Sequence, residues 1–294
     1  MVGVARLRRA ALVLLACGTA LAADTFELVH RDIDELSGLA VSRTDPTLLW
    51  GHNDTGGGLR LYRIGVHGED LGSTRVRQAQ SSDWEDIAAF DDASGPALLI
   101  ADTGDNFAIR SFLTLYAVRD PGRSGNPTLL WRLDFRFPDG ARDCEAVAVD
   151  TAAREILLVS KRDRPPRLYR LPLPQHAPGA IQTAEFLGEL APLPVATLRE
   201  RLTAPIASLY AHNPTALDIS RDGTTAVLVT LRHAYIYRRA LATPWAQAFG
   251  QPRAVIALPP LDQTEAAALS ADGRELFVGS EGRPGRLARI PLPP

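Results

Sequence analysis

Only two cysteines, Cys17 and Cys144, occur in 294 residues. With Cys17 in the N-terminal leader described below, no disulfide can form inside the folded part, and core packing has to hold it together. Past that leader no apolar stretch approaches the roughly 20 residues a spanning helix needs, so a soluble mature chain is expected. There is no basic excess either: 32 Lys and Arg stand against 34 Asp and Glu, a formal charge of −2, which argues against a nucleic-acid-binding surface. Disorder is excluded by composition, because 46% of residues are hydrophobic and only 22% charged.

The first 22 residues form a secretory signal peptide by pattern. Arg6, Arg8 and Arg9 precede an apolar stretch over 10–16, and Ala20, Leu21 and Ala22 make a small-residue cleavage site. Removing them takes away three Arg and no acid, leaving 29 basic against 34 acidic residues. Leu14, Leu15, Ala16 and Cys17 also fit a lipobox, so a lipid anchor at Cys17 remains the alternative to simple cleavage. Either way the chain is exported, to the periplasm or beyond, and residues 23–294 form one domain.

Within that domain one pattern recurs five times. Segments 37–41, 85–89, 145–149, 215–219 and 265–269 each open on a polar residue and then place apolar side chains two and four positions on, the period of a half-buried strand. A turn follows each, clearest at Asp222-Gly223 and Asp272-Gly273. Short apolar runs at 48–50, 98–100, 156–159, 227–229 and 276–278 then read as strands buried on both faces. A third strand carries Leu-Tyr-Arg or a close variant at 61–63, 115–117, 168–170, 236–238 and 287–289. Fourth strands are visible near 74–76, 129–135, 185–187 and 254–258. The last repeat has none, and 26–29 at the other end is free to supply it. Repeats of this length, closed in this way, predict an all-β propeller of five four-stranded blades rather than a β-sandwich. A degenerate sixth blade in the long interval 145–215 stays open, although 198–202 there reads as helix.

First strands line the channel of a propeller, so equivalent positions meet near its axis. The opening residues are Ser37, Glu85, Glu145, Thr215 and Glu265; two places earlier stand Glu35, Asp83, Asp143, Asn213 and Gln263. Crowded carboxylates repel unless a cation sits among them, and ligands that are all oxygen suit Ca²⁺ or Mg²⁺ better than zinc. Glu85, Glu145, Glu265 and Glu35 are therefore candidate metal ligands. Asp54 and Asp102, from two loops that share Asp-Thr-Gly, are added to them. Later loops carry Lys161, Arg162 and Arg232, a basic side suited to an anionic ligand, with His52 and His233 as candidate acid–base groups. His30, His67, His176 and His212 have no repeat counterpart and read as surface residues. Cys144 takes the place that Trp84 holds one repeat earlier and reads as a small buried side chain.

The acid-opened strands, the Asp-Thr-Gly loops, the hairpins Ser220–Gly223 and Ser270–Gly273 and the Leu-Tyr-Arg strands resemble the exported bacterial propellers of the phytase-like, SMP-30 lactonase-like and NHL/YVTN group. That resemblance implies a central, often calcium-occupied site and, in enzymatic relatives, hydrolysis of phosphoesters or lactones; it would give Glu85, Glu145 and Glu265 the metal role. Those relatives usually have six blades, which weakens any transfer of catalytic residues. The expectation is an exported propeller whose acidic funnel holds a divalent cation and hydrolyses or binds a small anionic ligand. The alternative is a non-catalytic scaffold that meets another protein of the cell envelope.

Overall fold

The computed structural model describes residues 23–54, 58–80 and 82–294. The expected leader with Cys17 lies outside the described residues, as do Thr55 and Gly56 of the first Asp-Thr-Gly loop.

Five blades of four antiparallel strands follow one another along the chain, the second extended at its outer edge by the two-residue strand Gln182–Thr183, which pairs parallel with Leu129–Arg136. Blade 1 comprises Leu36–Val41, Leu48–Asn53, Arg60–Gly65 and Asp70–Arg75, and blade 2 comprises Trp84–Asp92, Gly95–Asp102, Leu113–Arg119 and Leu129–Arg136. Blade 3 is built from Ala146–Asp150, Glu155–Val159, Arg167–Pro172 and Glu185–Glu189, and blade 4 from Pro214–Ile219, Thr225–Thr230, His233–Arg238 and Ala254–Ala257. In blade 5, Thr264–Leu269, Glu275–Ser280 and Arg286–Pro291 are completed by Asp24–Glu27, which pairs antiparallel with the last strand from Asp24 opposite Arg289 to Glu27 opposite Arg286. The N-terminal closure is thus as expected, two residues earlier than the pattern suggested. First strands neighbour one another in a ring, blade 5 beside blade 1. Interval 190–213 holds short helices at Leu198–Thr203 and Pro205–Tyr210 rather than a sixth blade. No helix among the described residues is long and apolar enough to cross a membrane.

The core consists of wedges between blades. In the run 156–159, Ile156 and Leu158 pack toward blade 2 while Leu157 and Val159 pack toward blade 4. Successive side chains on a strand point to opposite faces, so a strand with a neighbour on each side must be apolar at every position. Leu36, Leu39, Leu48 and Leu49 are wholly buried, each worth about 1.5–3 kcal/mol. Cys144 is also buried, and burial pushes its thiol well above the ordinary range, so it packs as a small apolar side chain. The two hairpins form as expected: Gly223 and Gly273 take φ of 70° and 68°, and Ser220 and Ser270 hydroxyls donate to Asp222 and Asp272 at 2.6 Å.

Where the first strands open, strict alternation fails. The register against the second strand shifts between Leu36 and Gly38, Trp84 and Asp86, Pro214 and Ala216, and Thr264 and Ala266. The extra residues are Ser37, Glu85, Thr215 and Glu265. The polar opener is therefore the bulged residue in four blades, and a bulge re-aims a side chain that the pleat alone would place elsewhere. Two openers tie blades together instead of facing a ligand: the Ser37 hydroxyl donates to the Glu85 carbonyl at 2.9 Å, and that of Thr215 to the Thr264 carbonyl at 3.0 Å. Ser37→Ala should cost about 1 kcal/mol, read as a lower urea midpoint with an unchanged slope.

Below the openers the channel is plugged. Asp86, wholly buried, accepts hydrogen bonds from the amides of Val147 in blade 3 (2.8 Å) and Leu217 in blade 4 (3.2 Å). Asp218 accepts from Leu269 in blade 5 at 2.7 Å. At the far mouth Arg43 donates to the Ala89 carbonyl and lies in the field of Asp218, beside a cavity of about 30 Å³, room for a water or two.

Candidate metal centre

Three rows of residues build the funnel. Below are the bulged openers; above them stand Glu35, Asp83, Asp143, Asn213 and Gln263. The rim is set by a repeated backbone bond in which the amides of Asp54, Gly104, Lys161 and Glu281 donate to the carbonyls of Glu35, Asp83, Asp143 and Gln263 at 2.9, 3.3, 3.1 and 3.2 Å. This bond aligns the four blades more securely than any sequence motif. At Gly104 the rim has no side chain, and a Cβ there would collide with the Glu85 and Asp83 carboxylates.

Two groups of three carboxylates result, Asp54 with Asp83 and Glu85, and Glu85 with Asp143 and Glu145; within each, the oxygens lie within 4.8 Å of one another. Glu85 belongs to both. Glu35 and Glu265 act electrostatically on Asp54, and Glu281 is tied to Glu265 in turn. At about 4 Å two carboxylates repel by about 4 kcal/mol at an effective dielectric near 20. Protonation relieves this. Asp54 is pushed up to about 8 by burial and then by Asp83, Glu265 and Glu35. Glu281 is pushed up to about 8 by burial and Glu265. Glu85 and Glu265 are raised chiefly by burial, with Lys161 opposing.

Lys161 is the only lysine in the chain. Its ammonium pairs with Glu145 Oε1, and both side chains are largely enclosed. Arg162 donates from Nε to Asp143 Oδ2 at 3.0 Å and also holds Asn106 Oδ1. Two of the three cations of the expected basic side, Lys161 and Arg162, are thus spent on funnel acids. Arg232 is elsewhere, 3.9 Å from Glu200 on the helical insertion. The expectation of one basic wall formed by Lys161, Arg162 and Arg232 is therefore corrected: the three do not converge on a shared anion site.

Of the expected metal ligands, Glu85, Glu145 and Asp54 lie in the carboxylate groups, with Glu265 and Glu35 beside them. Asp102 does not. Its carboxylate accepts from the amides of Ser82 and Asp83 at 3.1 Å each and pairs with Arg110 at 3.0 Å, which makes it a loop-organising residue. His52 is also away from the funnel surface. Its ring is 0% exposed, sits edge-on to Trp84 at 5.6 Å and turns Nε2 toward Gly38. Burial pushes it down to about 4, so it stays neutral and enclosed rather than shuttling protons. His233 stacks with His212 under the insertion, and His212, expected on the surface, is only 5% exposed.

Asp83, Asp143 and Glu281 complete the acid set, and Asp86 is the residue most easily overlooked. Its signal was present: the position after the opener is Gly38, Ala146, Ala216 and Ala266 in the other blades.

No family model and no curated protein sequence matches the chain. Among solved structures, the "Crystal structure of Nidogen/Laminin Complex" aligns over 86% of this chain and 74% of that one, with TM-score 0.45 and 12% identity. Likeness at that level carries no functional argument. What the sheet topology itself establishes is a five-bladed β-propeller with buried acidic residues able to hold a metal. Nothing in the comparisons singles out the phytase-like, SMP-30 lactonase-like or NHL/YVTN group.

Proposed function

We propose that this chain is an exported propeller whose axial funnel binds a hard divalent cation, calcium foremost, and uses it as the anchor for a small anionic ligand. The observation that carries this reading is Glu85, shared by two carboxylate groups and flanked by acids that burial and mutual repulsion push toward protonation. Calcium takes six to eight oxygens at about 2.3–2.6 Å, and side chains from blades 1, 2 and 3 offer oxygens without any thiolate or imidazole. Binding is favoured over hydrolysis because neither His52 nor His233 stands at the funnel acids. Isothermal titration of calcium into the metal-free protein should give saturable binding, weakened at least tenfold, about 1.4 kcal/mol, in Glu85→Gln. Absence of a binding heat at neutral pH, or an unaltered affinity in Glu85→Gln, rejects it.

One observation favours a second reading, a protein-docking propeller of the cell envelope. Phe107 and Ile109 on the loop beside Arg162, and Leu198, Leu202 and Leu209 on the insertion, are all more than half exposed. Arg162 links the two elements by holding Asn106 and lying 5.8 Å from the centre of the Tyr210 ring. Exposed apolar side chains gathered in this way mark contact surfaces. If Leu202→Asp and Phe107→Asp abolish co-purification with an envelope partner while calcium has no effect, the docking reading replaces the cation reading.

A further inference from the structure

A second group of polar side chains lies outside the funnel, where blade 4 meets the helical insertion. Neither ring nitrogen of the buried His212 has a hydrogen-bond partner among the described residues. His233, which opens the third strand of blade 4, stacks beside it with ring centres 6.1 Å apart and planes 17° off parallel; its Nδ1 is likewise unpartnered. Tyr235, two residues on and so on the same strand face, is buried, its ring centre 6.1 Å from that of His233 and its hydroxyl without a partner. Buried polar atoms are nearly always satisfied in folded proteins, so orphan atoms on three neighbouring side chains call for a partner that the described residues do not supply.

The surrounding charge says which kind. Arg164 donates to Asn213 Oδ1 at 2.5 Å and to the His212 carbonyl at 3.5 Å. Arg232 approaches from the strand side. Among the described residues Glu200 is the acid that faces the imidazoles, with Oε1 3.8 Å from His212 Nε2 and 3.9 Å from Arg232 Nε. Its other oxygen is committed to the helix cap, accepting from the amide and hydroxyl of Thr197 at 2.7 and 2.8 Å. Two guanidinium groups against one half-committed carboxylate leave a positive excess. A cation would be repelled there, whereas an acceptor-only oxyanion matches imidazole N–H, phenol O–H and guanidinium donors.

We infer that His212, His233 and Tyr235, with Arg232 and Arg164 supplying charge, form a binding site for a small oxyanion such as a carboxylate or phosphate group. It is independent of the funnel cation. Burial and the two arginines hold the His212 imidazole below its ordinary range, and burial, His212 and Arg232 do the same for His233, with Glu200 opposing in both. A bound anion favours their protonated forms. Affinity therefore rises as the pH falls, and binding takes up protons.

The test is a titration of the full mature protein with inorganic phosphate, and separately with acetate, in EDTA, followed by long-range proton–nitrogen NMR of the histidine rings. At about pH 6 the His212 and His233 signals should shift saturably, and both should titrate at higher pH when the anion is present. The other histidines should not respond. Arg232→Gln, at an exposed position, and Tyr235→Phe should each weaken phosphate binding at least tenfold without altering calcium binding. Rings that do not respond to tens of millimolar of either anion overturn the inference, as does a response retained in both variants, or one elicited by zinc and not by phosphate.

Discussion

Stripped of divalent cations by EDTA, the protein should melt at progressively lower temperature as the pH rises from about 4 to about 8, and millimolar calcium should reverse the loss. The sign follows from the direction of the shifts. Asp54 and Glu281 titrate at about 8 in the folded protein, and Glu85 and Glu265 are also raised. A carboxyl group whose folded pKa lies above its unfolded one stabilises the fold below the unfolded value and loses that contribution as the pH climbs through the folded one. Calcium competes with those protons, so its effect should be absent near pH 4 and largest above pH 8. At a hundredfold excess over Kd a ligand adds about 2.7 kcal/mol, which for a domain of this size is roughly 5 °C. A melting temperature indifferent to both pH and calcium across this window contradicts the electrostatic reading of the funnel.

Lys161→Met should cost about 3–5 kcal/mol in EDTA, roughly 5–9 °C in melting temperature, because it strips the counter-charge from an enclosed carboxylate. No second lysine exists in the chain to take over. Lys161 also opposes the upward shifts of Glu85 and Glu265, so removing it drives both further toward protonation. The deficit should shrink in saturating calcium, since a divalent ion among the same oxygens supplies the missing charge, and calcium affinity at pH 8 should rise relative to the parent protein. Parallel melting curves with and without calcium would show this. A variant as stable as the parent in EDTA, or one that binds calcium more weakly, would mean that Lys161 is not an internal counter-ion.

The propeller was legible because its determinants are local. Alternation with period two, Asp-Gly hairpins and doubly buried runs such as 156–159 are written within a few residues of one another, and five copies in register leave little freedom. Glu85, Glu145 and Glu265 could be found for the same reason, as one position repeated. Legibility ended where geometry departs from the pleat. A bulge at the opener is a tertiary accommodation with no residue signature of its own, so Asp86 was not seen to reach the axis after Glu85. Which way a loop carboxylate turns depends on amides brought from elsewhere, and so Asp102 looked like Asp54 while the amides of Ser82 and Asp83 claim it. His52 and His212 were misjudged because burial of an imidazole is decided by what packs on it, here Trp84 and the helical insertion.

Crystals of the protein grown with calcium, or soaked in manganese, and measured for anomalous scattering would probe the funnel without intermediaries. A peak about 2.3–2.6 Å from a Glu85 carboxylate oxygen, with further oxygens from Asp54 and Asp83 or from Asp143 and Glu145, is the result this account predicts. Ordered funnel side chains with no peak among them, or metal found only on the outer faces of the blades, would contradict it.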